Sequence, residues 1–237
     1  MDASGPVRGG RGRALGPSLL AALALGGAAL AQDDWRLTIE PYVWIPTLEG
    51  EGSADGSPDA DFDVDFPGEL SAALPLALRL ATPGGNTWRF DGLYARWEDD
   101  DGALNTEAAL SLVEAGFGWQ TGGGWELTAG LRAVELELEV ELGGADSDAS
   151  EAWIDPWVGA AGEVELAERW TLRTWADIGG FGIGSDLTWQ VAALAGWGGE
   201  RWRIELGYRA LAVAFDDDDL DTELLAHGPI LGVAFGL

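Results

Sequence analysis

The sequence predicts an all-β protein, a single antiparallel up-and-down β-barrel that crosses the bacterial outer membrane. Three observations lead to this prediction. Apolar residues recur at every second position through much of the chain. Tight and longer connections alternate between these segments, and tryptophans gather beside the tight connections. Such a barrel also needs an export signal and strands of about 9–11 residues.

The composition narrows the class of protein further. Among 237 residues, Lys and Arg total 13 against 41 Asp and Glu, which gives a formal net charge of -28. A chain this acidic repels phosphate, so nucleic acid is not expected as a partner. The absence of Cys excludes disulfides and Cys-ligated metal sites. A hydrophobic content of 47% gives the chain enough apolar surface to fold.

Residues 1–31 have the pattern of a cleaved secretory signal peptide. A basic start with three Arg precedes an apolar run over 19–25, and a small-x-small sequence ends at Ala31. The apolar run is shorter than the roughly 20 residues of a transmembrane helix. We therefore expect export and a mature barrel over 32–237.

The mature chain predicts ten strands, with period-two patterns that are clearest over 35–45, 74–80, 170–178 and 187–197. Tight turns are predicted at 83–86, 121–124, 166–169 and 198–200. The longer or acidic connections are predicted at 49–71, 99–105, 143–150, 179–186 and 216–221. This arrangement puts short turns on one rim and longer loops on the other. Eight strands are the alternative if one pair is a hairpin outside the membrane.

One strand changes the phase of its apolar pattern. Leu127 and Leu131 lie on one face, whereas Val134 and the apolar residues that follow it lie on the other. Either a bulge near Ala133 or a strand that leaves the membrane and continues above it reconciles the two halves.

Tryptophans are expected to form an aromatic girdle at the short-turn rim, where an indole finds both an apolar and a polar environment. Its predicted members are Trp35, Trp88, Trp119, Trp125, Trp170, Trp197 and Trp202. A second aromatic group is predicted near the opposite strand ends, at Trp44, Trp97, Trp153, Trp157, Trp189 and Phe215. The alternative is a soluble barrel with Trp in its core.

If the apolar face meets lipid, the other face carries charges into the lumen. The predicted lumen-facing residues are Arg36, Glu40, Arg79, Asp91, Glu114, Arg132, Glu163, Arg173, Asp177, Arg203, Glu205 and Arg209. Six Arg and six acids in a narrow barrel are expected to pair as salt bridges. The lumen would then be mostly filled, with at most a path for small solutes.

The surplus acids fall in the predicted loops, at 55–65, 98–101 and 216–219. These runs are candidates for divalent cations that bridge to lipopolysaccharide, although solvated charge is the commoner meaning of such runs. No calcium-loop spacing occurs, and no residue is assigned as a metal ligand. The Gly-rich segment 179–186 lacks the Lys-Ser/Thr of a phosphate loop. It predicts flexible or inward-folded backbone instead.

Catalysis has little support in the sequence. His227 is the only histidine, and nothing places it beside Ser111 or Ser185. No catalytic residue and no cofactor is predicted.

Four motifs carry a resemblance to a family. They are Tyr42-x-Trp44-x-Pro46-x-Leu48-x-Gly50, Val64-Asp65-Phe66-x-x-x-Leu70, the stretch 177–189 with its Gly-Gly-Phe-Gly, and Gly207-Tyr208-Arg209. Together they resemble a widespread group of uncharacterised bacterial outer-membrane β-barrel proteins. The resemblance implies a short helix over 67–73 that enters the barrel, and no catalytic residues.

The carboxyl end carries the alternating residues Val233, Phe235 and Leu237, a pattern that barrel assembly machinery reads, with Leu in place of a final aromatic. The expected partners are outer-membrane lipid, lipopolysaccharide and that machinery. The expected function is structural or that of a narrow porin-like channel. The alternatives are a surface binding module and, less favoured, a lipid-modifying enzyme.

Overall fold

The computed structural model describes residues 35–54, 60–64, 70–73, 75–100, 104–142, 145–217 and 220–237, so the predicted signal peptide lies outside the described residues. The strands of this part are, in chain order, β1 (Arg36–Trp44), β2 (Thr47–Ala54), β3 (Ala60–Val64), β4 (Leu70–Ala73), β5 (Leu76–Ala81), β6 (Thr87–Asp100), β7 (Leu104–Gly122), β8 (Trp125–Leu142), β9 (Ala145–Ala167), β10 (Trp170–Gly180), β11 (Leu187–Gly198), β12 (Trp202–Asp217) and β13 (Leu220–Gly236). A membrane-crossing helix is not found in the described part of the chain.

The strands close into an antiparallel barrel with ten strand positions around its circumference, each of which is here called a wall. Each strand from β5 to β12 pairs with the next one in sequence, and β1 closes the ring by pairing with both β5 and β13. β1 and β2 form one wall because both pair with β13, and β4 and β5 form another because both pair with β6. The prediction of ten strands is confirmed, and the eight-strand alternative is wrong.

Prolines account for the interruptions in these two walls. Pro46 separates β1 from β2, and Pro75 directly precedes β5. Proline has no N–H to donate to a ladder, so a strand commonly breaks there. The predicted connection 49–71 is therefore partly strand, since β2 continues the wall and pairs with β3.

The predicted short helix over 67–73 is wrong where the structure describes it. Leu70–Ala73 is strand β4, in which Leu70 pairs with Trp97 and Ala73 with Ala95. The long strand β6 supplies the backbone hydrogen bonds that a helix would have to form within itself. Residues 67–69 lie outside the described part.

The two rims differ as the sequence predicts, but at the long-loop rim the strands extend farther than the sequence predicts. At the tight-turn rim, Gly122, Gly123 and Gly124 all have positive φ, a conformation that favours glycine. On the other side β7, β8 and β9 run for 19, 18 and 23 residues, well beyond the roughly 9–11 that cross a bilayer. The described parts of the predicted connections 99–105 and 143–150, namely 99–100, 104–105 and 145–150, are therefore strand.

The phase change in the apolar pattern of β8 marks the edge of the outward apolar surface that lies farther from the tight turns. Leu127 and Leu131 are more than half exposed and point outward, while Arg132 is fully buried. Beyond Ala133 the pattern inverts, because Val134 is buried and Glu137 on the outward face is exposed. The register with β7 and β9 is unbroken there, so the proposed bulge is wrong and the strand continues above the apolar band.

The band itself has the height of a hydrocarbon layer. From Trp125 to Glu135 the strand advances ten residues, which at about 3.3 Å per residue and a tilt of about 40° covers roughly 25 Å. Other strands also carry exposed apolar residues, including Leu206 on β12 and Leu231 on β13, which pair with each other.

Candidate functional site

Six charged side chains near the tight-turn rim form a closed ring of ion pairs, here called the basal ring. Its members are Glu40, Arg79, Glu163, Arg173, Arg203 and Glu205. Arg173 contacts Glu40 and Glu205 through its two Nη atoms, each at 2.5 Å. Arg203 contacts Glu205 and Glu163 at 2.9 Å each. Arg79 closes the ring on Glu163 at 3.3 Å and Glu40 at 3.4 Å.

The geometry of the ring balances its charges. Each guanidinium bridges two carboxylates, and each carboxylate group meets two guanidinium groups, so the three positive and three negative charges cancel. The planar, five-donor arginine fork suits this bridging, which a lysine ammonium cannot reproduce in the same way. Charges taken from water are tolerated when they are paired and hydrogen-bonded in this manner.

A second set of polar side chains lies deeper in the lumen and is here called the central cluster. Its members are Tyr42, Asp91, Glu114, Arg132, Asp177, Thr188, Gln190 and Arg209. Arg132 donates hydrogen bonds to Glu114, to Asp177 at 2.7 Å and to Thr188 at 3.1 Å. Gln190 connects the two arginines of the cluster, since it donates to Glu114 and accepts from Arg209, both at 3.1 Å.

The other half of the central cluster is built around Arg209. Its Nη1 atom donates to Asp91 at 3.1 Å and to the Tyr42 hydroxyl at 3.2 Å, and that hydroxyl donates to Asp91 at 2.7 Å. The guanidinium also lies over the Trp44 ring at 5.0 Å, an arrangement in which the π face attracts the cation. Arg209 is therefore held through its Nε and Nη1 atoms and by the face of Trp44.

Eleven of the twelve predicted lumen-facing residues take part in these ion pairs. The exception is Arg36, which is exposed at the rim and has no ion pair among the described residues. Sequence reasoning missed Arg89, Glu126 and Asp155. Arg89 and Glu126 form an ion pair at 2.6 Å on the inner side. Strand alternation could have identified Arg89, because it lies two residues from Asp91 and therefore shares the same face of the strand.

An apolar layer follows the central cluster toward the outer side of the lumen. Trp44, Leu93, Leu112, Val134 and Leu211 are all buried there and belong to one hydrophobic cluster. The predicted second aromatic group is therefore wrong in part. Trp44 and Trp157 are only 4% and 6% exposed, because their positions in the strand alternation point inward rather than to an interface.

The remaining members of the second aromatic group divide between two surroundings and the undescribed part. Trp189 is exposed on the outward face. Trp153 is half-buried and donates its indole N–H to Asp155 at 3.1 Å. The side chains of Trp97 and Phe215 lie outside the description.

Two cavities show how narrow the lumen is. A vestibule of about 850 Å³ opens at the tight-turn rim, where Arg36, Arg201 and Glu126 are among its lining residues. Beyond it, a cavity of about 100 Å³ is lined by members of both the basal ring and the central cluster, and we call it the lumenal chamber. The volume of the lumenal chamber is thus about one eighth of the volume of the vestibule on the other side of the basal ring.

The aromatic girdle occupies the outward face at the tight-turn rim. Six of its predicted members, Trp88, Trp119, Trp125, Trp170, Trp197 and Trp202, are 38% to 50% exposed. The seventh predicted residue, Trp35, is half-buried, and the structure does not assign it to the belt. Indoles on adjacent strands touch edge to face, as Trp197 and Trp202 do at 5.7 Å between ring centroids. The tryptophans beside the tight turns therefore form a belt, in which the rings of β11 and β12 contact each other directly.

His227 has two partners, and neither is a serine. The Tyr208 hydroxyl lies 2.6 Å from His227 Nδ1, and Glu49 lies 3.2 Å from Nε2, all on the outward side. Ser185 instead donates its backbone N–H and its hydroxyl to buried Asp155, at 2.8 and 2.9 Å. These hydrogen bonds hold the Gly-rich turn between β10 and β11 toward the lumen. For segment 179–186 the sequence predicts flexible or inward-folded backbone, and the structure agrees with the inward-folded form.

The acidic runs give no metal centre in the part that the structure describes. No group of three or more metal-ligating side chains occurs among the described residues. The acidic runs at 55–65, 98–101 and 216–219 fall wholly or partly outside the description, including the side chains of those residues that lie in strands.

Comparisons with known proteins find similarity in structure alone. No protein-family model matches the chain, and no curated protein matches its sequence. The outer-membrane protease OmpT from Escherichia coli has 9% identity over 87% of this chain and 98% of its own, with a TM-score of 0.51. The attachment invasion locus protein Ail of Yersinia pestis, in complex with sucrose octasulfate, has 11% identity over 86% of this chain and 99% of its own, with a TM-score of 0.46.

Neisserial surface protein A has 11% identity over 85% of this chain and 96% of its own, with a TM-score of 0.35. At identities this low, such likeness shows fold alone. The proposed resemblance to an uncharacterised family gains no sequence match from these comparisons. The described part of the chain is a closed ten-stranded antiparallel β-barrel, and it shares the barrel fold of OmpT.

Proposed function

We propose that the protein resides in the outer membrane with its tight turns toward the periplasm. The outward apolar band of roughly 25 Å supports this placement, because the exposure of so large an apolar surface to water is unfavourable. The Trp belt at one edge and the change to outward acids at the other edge support it as well. Fractionation checks it: recovery in the periplasmic extract without detergent would contradict the placement.

The proposed function is that of a narrow, normally closed channel for small solutes. The single observation that carries it is the basal ring, which stands between the 850 Å³ vestibule and the 100 Å³ lumenal chamber. Paired charges close the lumen, yet side chains can separate without breaking the backbone of the barrel. A structural role is the alternative, and it corresponds to a lumen that never opens.

Conductance in planar bilayers separates these functions. We expect no stable nanosiemens-scale state from the wild type. The triple variant Glu40→Ala, Arg173→Ala, Glu205→Ala removes one guanidinium with both of its carboxylates, so it should raise the conductance for small ions severalfold. Arg36→Ala, at the exposed rim, is the matched control and should behave as wild type. A large permanent current in the wild type contradicts the closed lumen, and a silent triple variant favours the structural role.

A second candidate function is surface binding above the membrane. The observation that favours it is the outward acidic face of β8 beyond Ala133, where Glu137 is exposed. Carboxylates at this height can hold divalent cations and through them the phosphates of lipopolysaccharide. Calorimetry with calcium or magnesium should detect binding that weakens in Glu135→Gln, Glu137→Gln. If the wild type produces no binding heat, this function is removed.

The proposal assigns the protein no enzymatic activity. Tyr208 and Glu49 occupy both ring nitrogens of His227, and a phenol is a weak nucleophile at neutral pH. The variant His227→Gln should therefore leave the lipid composition of the membrane unchanged. The assembly machinery remains an expected partner on the basis of the carboxyl-terminal pattern.

A further inference from the structure

The lumenal chamber has a lining that combines charge with aromatic surface. It spans the lumen between the basal ring and the central cluster, and Trp157 and Trp175 contribute to its wall beside Arg173 and Arg209. Its volume is about 100 Å³. A guest must therefore be a small solute, of the size class of glycine.

Five of the lining side chains retain unused hydrogen-bonding capacity, and one of them, half-buried Arg89, does so through its Nε atom. Glu40, Trp157, Arg173 and Arg209 are each more than nine-tenths buried. Among the described residues, Trp157 Nε1, Arg173 Nε and Arg209 Nη2 donate to no partner, and Glu40 Oε1 accepts no hydrogen bond although Arg79 Nε lies 3.4 Å away. Neighbouring side chains cover these atoms, so a guest reaches them only when those side chains rotate.

The unused atoms have a defined chemical balance. Four of them are donors and one is a carboxylate oxygen. Buried polar atoms without partners are costly, which favours a guest that satisfies them. The donors suit a carboxylate, since guanidinium groups bind it strongly, and the oxygen suits an ammonium group.

The charges around the chamber favour a guest without net charge. The carboxylates of its lining are already paired with arginines, as Asp91 is with Arg209 and Glu205 with Arg173. A simple anion or cation would add an uncompensated charge to a partly dehydrated interior, which is unfavourable. A zwitterion brings both charges at once.

We propose that the lumenal chamber is a binding site for a small zwitterion of the amino-acid type, with its carboxylate toward the guanidinium groups and its ammonium toward Glu40. The proposal rests on the proposed function, because a solute reaches the chamber only through the lumen. It adds the class of solute to a path that was so far defined by size alone.

Equilibrium dialysis of the purified full-length barrel in detergent tests the site with radiolabelled glycine. Saturable binding of one glycine per barrel is expected. Glycolate lacks the ammonium and ethanolamine lacks the carboxylate, so each should compete at least tenfold more weakly at a similar size. Trp157→Phe removes the indole N–H together with the pyrrole part of the ring and should weaken glycine binding about two- to tenfold. Trp197→Phe, on the outward face, is the matched control and should leave it unchanged.

Three results overturn the site. They are no saturable glycine binding to folded wild type, equal competition by all three solutes, or wild-type affinity in Trp157→Phe. Circular dichroism establishes that each variant is folded before binding is measured. Dialysis needs no transport, so its outcome is separable from the bilayer measurement. If the basal-ring triple variant conducts but the wild type does not bind glycine, only this site is lost. If the wild type binds glycine but the triple variant stays silent, only the proposed channel is lost.

Discussion

Replacing Arg132 by Ala is expected to lower the free energy of unfolding by about 3–5 kcal/mol, because it leaves two buried carboxylates without their cation. Arg132 is fully buried and contacts both Glu114 and Asp177, and it also donates to Thr188. Denaturant unfolding in lipid vesicles, followed by tryptophan fluorescence, measures this loss.

Two controls separate the lost ion pairs from a general loss of packing. The triple variant Arg132→Met, Glu114→Leu, Asp177→Leu removes the whole charged group and should recover most of the stability, since apolar residues of similar volume replace buried ion pairs well. Arg36→Ala, at the exposed rim, should change stability by no more than about 0.5 kcal/mol. A triple variant that is as unstable as Arg132→Ala would contradict the ion-pair explanation.

Replacing Leu131 by Arg is expected to lower the free energy of unfolding in vesicles by about 2–4 kcal/mol, the cost of an arginine near the bilayer midplane. Leu131 is 55% exposed on the outward face and lies six residues from Trp125 in a band that covers ten. The same unfolding measurement in lipid vesicles determines the loss.

The matched control lies on the same face of the same strand. Glu137→Arg places the identical side chain beyond Ala133, where the outward surface is acidic, and should cost no more than about 1 kcal/mol. A depth-dependent difference between the two variants is specific to a membrane. Equal losses at Leu131 and Glu137 would mean that the hydrocarbon does not end between them.

The faces of the strands could be predicted because alternation is a property of the local chain. Arg173 and Asp177 lie four residues apart, so they must share a face whichever strand is adjacent. The same rule predicts the outward Trp belt and applies equally to Arg89 and Glu126, which sequence reasoning left out. Alternation alone does not locate the membrane boundary in β8, since the pattern fits both a bulge near Ala133 and a strand that continues beyond the membrane.

The expectations that were wrong concern segments whose structure depends on a neighbour. Residues 70–73 are strand because β6 extends far enough to pair with them, and 47–54 are strand because β13 does so. Trp44 and Trp157 follow the alternation, but their turn-distant positions suggested an interface. Their inward direction makes them packing partners for Arg209 and for the chamber instead.

The sequence by itself determined that this chain alternates, that its charges share the inner face and that its tight turns fall on one rim, because each depends on spacing within a few residues. Only the tertiary structure decided which charge meets which. Arg173 and Glu40 lie 133 residues apart, as Arg79 and Glu163 lie 84 apart. Their contacts depend on barrel closure and on the stagger of ten strands, a geometry that no local pattern encodes.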